Sequence, residues 1–190
     1  MILSKRIAEV QSEMRTAVRL NWQAFLIEGI LLMVLGLAAI IIPSFASLAV
    51  TIFLGWMFLI SGVAGLALTF WARQIPGFWW SLISAVLAGG AGMLLLARPL
   101  QGTLTLTIVV GAYFLAEGVA TIMYALEHRR ELSQRWSWML FSGLLDILIA
   151  GMIITELPAS AEWAVGLLVG INLLFGGASL TGVALAARKG

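Results

Sequence analysis

A four-point spacing occurs three times without a gap: Gly, seven residues to Pro, twelve to Gly and seven to Gly. The copies are Gly36, Pro43, Gly55 and Gly62; Gly92, Pro99, Gly111 and Gly118; and Gly151, Pro158, Gly170 and Gly177. The proline-to-proline steps are 56 and 59 residues. Self-similarity at a fixed period marks copies of one supersecondary unit stacked on one another. The chain is therefore three versions of one element, and the remaining question is what that element is.

Hydropathy answers it. The 190 residues are 62% hydrophobic and 11% charged, with a mean hydropathy of +1.05. Soluble domains average ~45–50% apolar and ~25% charged. Six apolar stretches of about 20 residues run roughly over 22–42, 46–70, 78–97, 103–126, 137–156 and 162–186. At 1.5 Å per residue each crosses a hydrocarbon core ~30 Å thick. With no water there to satisfy the backbone, uninterrupted runs of this kind form helices. Pro43, Pro99 and Pro158 fall in the short links between helices one and two, three and four, and five and six. Proline ends the preceding helix, so each repeat is expected to be a tight helical hairpin.

The expected fold is all-α: a single six-helix membrane domain over 22–187, built from repeats at about 22–72, 78–128 and 136–187. Each hairpin crosses twice, so all three enter from one side. Parallel repeats are related by an axis along the membrane normal, here a pseudo-threefold. Residues 1–21 place Ile2, Leu3, Ile7, Val10, Met14 and Val18 at roughly helical spacing among Lys5, Arg6, Arg15 and Arg19, the pattern of an amphipathic helix on the membrane surface.

Of the eleven Lys and Arg, only Arg98 lies in a proline link; the other ten lie at the opposite ends of the spans. The positive-inside rule then puts both termini in the cytoplasm and the proline links outside. Trp22, Trp71, Trp79, Trp80, Trp136 and Trp138 cluster at the cationic ends as an aromatic belt. The net charge of +2 is confined to links and ends, so it gives no support to a nucleic-acid partner. Membrane lipids are the expected surroundings, and the glycine-lined surface leaves room for a second copy or another membrane protein. Absence of cysteine excludes disulfides and thiol chemistry, and the one histidine, His128, excludes a multi-histidine metal site within the chain. No catalytic residue and no cofactor are expected, because no nucleophile stands with an activating base and no phosphate-cradling loop is present.

Glycines seven apart share one face of a helix. Gly55 with Gly62, Gly111 with Gly118 and Gly170 with Gly177 are therefore expected to be packing positions on the second helices, with Gly36, Gly92 and Gly151 on the first. Three acids lie inside the spans: Glu28, Glu117 and Asp146. A carboxylate at the bilayer centre costs about 2.5–3.5 kcal/mol, so each needs a partner, water or a proton. In a tight hairpin, residues equally far from the turn lie at one depth. Glu28 is fifteen residues before its proline and Ser61 eighteen after, and the second repeat puts Ser84 and Glu117 at those positions. In the third, Asp146 is twelve before Pro158 and Asn172 fourteen after. The three pairs are either polar clamps within each hairpin, worth roughly 0.6 kcal/mol each, or a proton-responsive cluster.

Three hairpin repeats with Gly-x6-Pro in each, together with Ser142-Gly143-Leu144-Leu145-Asp146-Ile147-Leu148 before Gly151 and Pro158, resemble the HdeD family of bacterial acid-resistance membrane proteins. The resemblance covers nearly everything after residue 20 and implies a multi-pass protein of the bacterial inner membrane serving acid-stress resistance. It carries over no catalytic residue, and Glu28 and Glu117 lie outside it. The expected function is non-enzymatic stabilisation of the membrane or an assembly. The alternative is a proton or small-solute transporter or channel using the intramembrane carboxylates.

Overall fold

The computed structural model describes residues 21–71, 77–129 and 135–189, together with Arg6. The expected amphipathic helix over 1–21 lies, apart from Arg6 and Asn21, outside the described residues. Six helices carry the fold: α1 (Trp22–Ile41), α2 (Pro43–Trp71), α3 (Phe78–Ala97), α4 (Pro99–Glu127), α5 (Arg135–Thr155) and α6 (Ala164–Lys189). No strand occurs among the described residues. All six helices are long and apolar enough to cross a membrane.

Proline sets the helix boundaries, by slightly different means in the three repeats. A residue before proline is pushed out of the helical region. Accordingly Ile42 (φ −126°, ψ 70°) and Arg98 (φ −138°, ψ 70°) are single-residue breaks. Pro43 and Pro99 then stand first in α2 and α4, where a missing N–H costs nothing. The third link is longer: Pro158 precedes a 3₁₀ turn at Ala159–Glu162, and α6 begins only at Ala164. At the opposite end Gly77, with φ 100°, turns the chain into α3, a backbone position open to glycine.

The described residues group into two compact units, one spanning 43–166 and the other holding α1 with α6 from Leu167 onward. In both, the buried positions are mostly small. Gly55, Gly62, Ala85, Gly92, Gly111, Gly118 and Ala125 are buried, while Trp80, Leu94, Phe53 and Leu87 are exposed. That distribution suits a lipid solvent, which offers large side chains an apolar home and leaves close backbone approach to hold helices together.

The glycine faces pack between repeats. In the 43–166 unit, α2 packs along α3 and α4 along α5, so the second helix of each repeat lies on the first helix of the next. A Cβ on Gly62 would strike Gly89, and one on Gly92 would strike Leu59 and come 2.8 Å from the Gly55 carbonyl. In the other unit α6 packs on α1: a Cβ on Gly36 would come 2.7 Å from the Gly170 carbonyl, and one on Gly177 would come 2.5 Å from the Gly29 carbonyl. Within the second repeat, α3 and α4 meet beside their link, where Gly102 touches Leu95. The glycines at +12 and +19 from proline look towards the following repeat.

Candidate functional site

The crossing of α4 on α5 carries two of the three intramembrane acids, one on each helix. A Cβ on Gly118 would come 2.7 Å from the Gly143 carbonyl and 2.8 Å from Ile147 Cγ1, and one on Gly143 would come 2.9 Å from the Gly118 carbonyl. Only glycine permits that approach. Glu117 adjoins Gly118, and Asp146 lies three residues beyond Gly143 on the facing helix. Tyr113 and Glu117 stand one turn apart on α4, close enough for their side chains to interact. Asp146 is close enough to interact electrostatically with both. Glu117 is ten residues from the Glu127 end of α4 and Asp146 eleven from the Arg135 start of α5, or about 15 and 16 Å along the helix axes. Two acids thus share one depth inside the spans.

Their meeting follows from a one-residue departure from repeat symmetry. In α2·α3 and α1·α6, the glycine nineteen residues after a proline (Gly62, Gly177) faces the residue fourteen before the next (Ala85, Gly29). In α4·α5 the same glycine, Gly118, meets Gly143, fifteen before Pro158. Gly111 likewise meets Ile153 and Ile154. A one-residue slip rotates a helix by about 100°. The positions equivalent to Asp146 are Leu31, 56% exposed, and Leu87, 67% exposed; Asp146, turned by the slip towards α4, is half-buried. The same rotation turns Gly151 out. It is exposed with nothing within 4 Å of a Cβ, so it is not the packing position expected from its match to Gly36 and Gly92.

Of the sequence-based pairs, Ser84 with Glu117 lies within one unit and is not formed. Ser84 is exposed on α3, and among the described residues no hydrogen bond joins it to Glu117, whose polar neighbours are Tyr113 and Asp146. The reason is the one given above: each second helix lies along the next repeat, so Glu117 meets an acid of repeat three instead of a hydroxyl of its own hairpin. Glu28 on α1, Ser61 on α2 and Asn172 on α6 are each exposed.

A second polar group went unnoticed in the sequence. Ser47, Thr51, Thr107 and Ser160 are fully buried and Thr103 is 6% exposed. Ser47 Oγ accepts the N–H of Gly166 at 2.8 Å, so a hydroxyl from α2 caps the first turn of α6. Thr51 donates to the Ser47 carbonyl at 2.9 Å, Thr103 to the Pro99 carbonyl at 2.9 Å, and the two hydroxyls lie 2.8 Å apart. Ser160 Oγ donates to the Ile153 carbonyl at 2.7 Å, closing the end of α5. The available signal was Ser/Thr at four and eight residues after Pro43 and Pro99, one face of α2 and of α4. His128 stacks on Tyr124 with centroids 4.3 Å apart at the end of α4, and Arg188 lies over the Trp22 ring at 5.3 Å. Among the described residues no group of three His, Asp or Glu is placed to hold a metal.

Comparison with known proteins fits this architecture. Residues 27–97 and 90–155 each match the family described as "Short repeat of unknown function (DUF308)". Protein HdeD of Escherichia coli strain K12, of E. coli O157:H7 and of Shigella flexneri is 29% identical over 157 residues, 80% of this chain and 80% of each relative. No solved structure matches significantly. The two family matches together span 27–155, well over half of the chain, and they fall on apolar helices with repeated crossings. The chain is thus a multi-pass membrane protein of the DUF308 repeat family and a homologue of HdeD.

Proposed function

We propose that the protein supports acid resistance from the bacterial inner membrane without catalysing a reaction, with the Tyr113, Glu117 and Asp146 group as its proton-responsive point. The observation that carries the reading is the α4·α5 crossing, where a departure from repeat symmetry brings two carboxyls together within the spans. A proton gained or lost there changes the charge at the side of two helices whose backbones touch, where Glu117 is exposed and Asp146 half-buried. In a medium that penalises charge, that change acts on how tightly the helices hold and so on the stability of the protein and its assembly in lipid. The distribution of Lys and Arg supports cytoplasmic termini and external proline links.

Transport of protons or small solutes is the competing function. The hydroxyls in the 43–166 unit argue against it, since Ser47, Thr51 and Thr107 are fully buried and bonded within the protein. Proteoliposomes carrying an internal pH indicator, combined with unfolding midpoints between pH 4 and 8, separate the two. The expected result is no protein-dependent proton flux, together with a pH-dependent midpoint whose dependence is reduced in Glu117→Gln and Asp146→Asn. Proton flux abolished by either substitution would replace this reading with transport. A midpoint with the same pH dependence in both variants would remove the carboxyl pair from it.

A further inference from the structure

The face of α6 turned away from α1 carries Asn172, Gly176, Ser179, Val183 and Ala186, all exposed. Steps of four, three, four and three residues keep these five within one narrow stripe of a helix. On the opposite side Gly170, Gly177 and Ala184 are buried. Asn172 lies eight residues into α6, about 12 Å along its axis, within the span. It forms no hydrogen bond among the described residues. A primary amide in hydrocarbon with neither donor nor acceptor is costly, and a partner that supplies both relieves the cost. Gly176, one turn on, has nothing within 4 Å of where a Cβ would stand, so the backbone there is open to close approach.

We propose that this face of α6 binds the same face of a second copy, forming a two-fold homodimer. A second copy fits for two reasons. The carboxamide is both donor and acceptor, so two Asn172 side chains facing each other across an axis satisfy one another, and an isologous contact presents each residue to itself. All copies also insert with one topology, so their α6 helices run parallel about an axis along the membrane normal, which puts the two Asn172 groups at equal depth. Gly176 and Ser179 then allow the approach that interhelical hydrogen bonds need. No charged side chain of the span lies on this stripe to be desolvated.

The natural chain has no cysteine, so one can be introduced without removing any. Ser179→Cys in the full-length protein in liposomes should give an oxidised, cross-linked dimer. Leu94→Cys, on an exposed position of α3, serves as the control and should not. In donor and acceptor labelled chains diluted in lipid, Asn172→Leu should weaken self-association by about ten-fold. Gly176→Leu should abolish it without lowering the unfolding midpoint of the protein, because the space around Gly176 is empty within one chain. Equal cross-linking at the two cysteine positions, or a dimer that survives Gly176→Leu, overturns the proposal. So does loss of stability with unaltered association in Asn172→Leu, which would assign Asn172 to a partner within its own chain. None of these outcomes depends on acid response or proton flux.

Discussion

Replacing Ser47 by alanine tests whether α6 is held by a cap borrowed from α2. Gly166 is the third residue of α6, and the first four N–H groups of a helix have no intrahelical acceptor. The Ser47 hydroxyl takes this one at 2.8 Å, in a site with no exposure. Removing it leaves a buried donor without a partner, at about 1–3 kcal/mol. Alanine's better helix propensity within α2 returns a few tenths, so the net loss is about 1–2.5 kcal/mol. For a chain of this size that lowers the thermal midpoint by about 2–10 °C. The assay is unfolding of purified protein in one fixed detergent, followed by circular dichroism. Gly166→Ala is the companion, since its Cβ would strike the Pro43 carbonyl and lie 3.0 Å from Ala46 Cβ; it should cost more than Ser47→Ala. A Ser47→Ala protein within 0.5 kcal/mol of the parent would show that the N–H finds another acceptor at no cost, refuting the cap as described.

Alanine at glycines should sort by contact and not by repeat position. Gly92→Ala, whose Cβ would hit Leu59, should destabilise strongly, whereas Gly151→Ala, exposed with nothing nearby, should stabilise by about 0.5–1 kcal/mol; equal effects in parallel unfolding curves would refute the register slip. At the α2·α4 crossing, Thr51 and Thr103 hold two hydroxyl protons for three contacts, so each hydroxyl removed frees the other to donate to its own carbonyl. Thr51→Val and Thr103→Val should each cost less than about 1 kcal/mol, with a coupling near 0.6 kcal/mol in a double-mutant cycle; a coupling above about 2 kcal/mol would mean that the pair holds the crossing alone.

The sequence by itself determined the kind of molecule and the faces of its helices. Hydrocarbon leaves a backbone few options, so six apolar runs had to become six helices, and proline had to set their boundaries at Pro43 and Pro99. Periodicity along a helix is equally rigid, so glycines seven apart had to share a face, as Gly55 with Gly62 and Gly111 with Gly118 do. Which helix that face meets is not a local property. Only the tertiary structure turned those faces towards the next repeat and paired α6 with α1, because facing partners are chosen by packing among all the helices. The slip in α4·α5 is of the same origin: the third crossing fits with Gly143 and Ile153 against α4, which turns Gly151 out and Asp146 towards Glu117. A one-residue rotation leaves no trace in spacing, which is why matching by depth alone did not turn Asp146 towards the helix that carries Glu117.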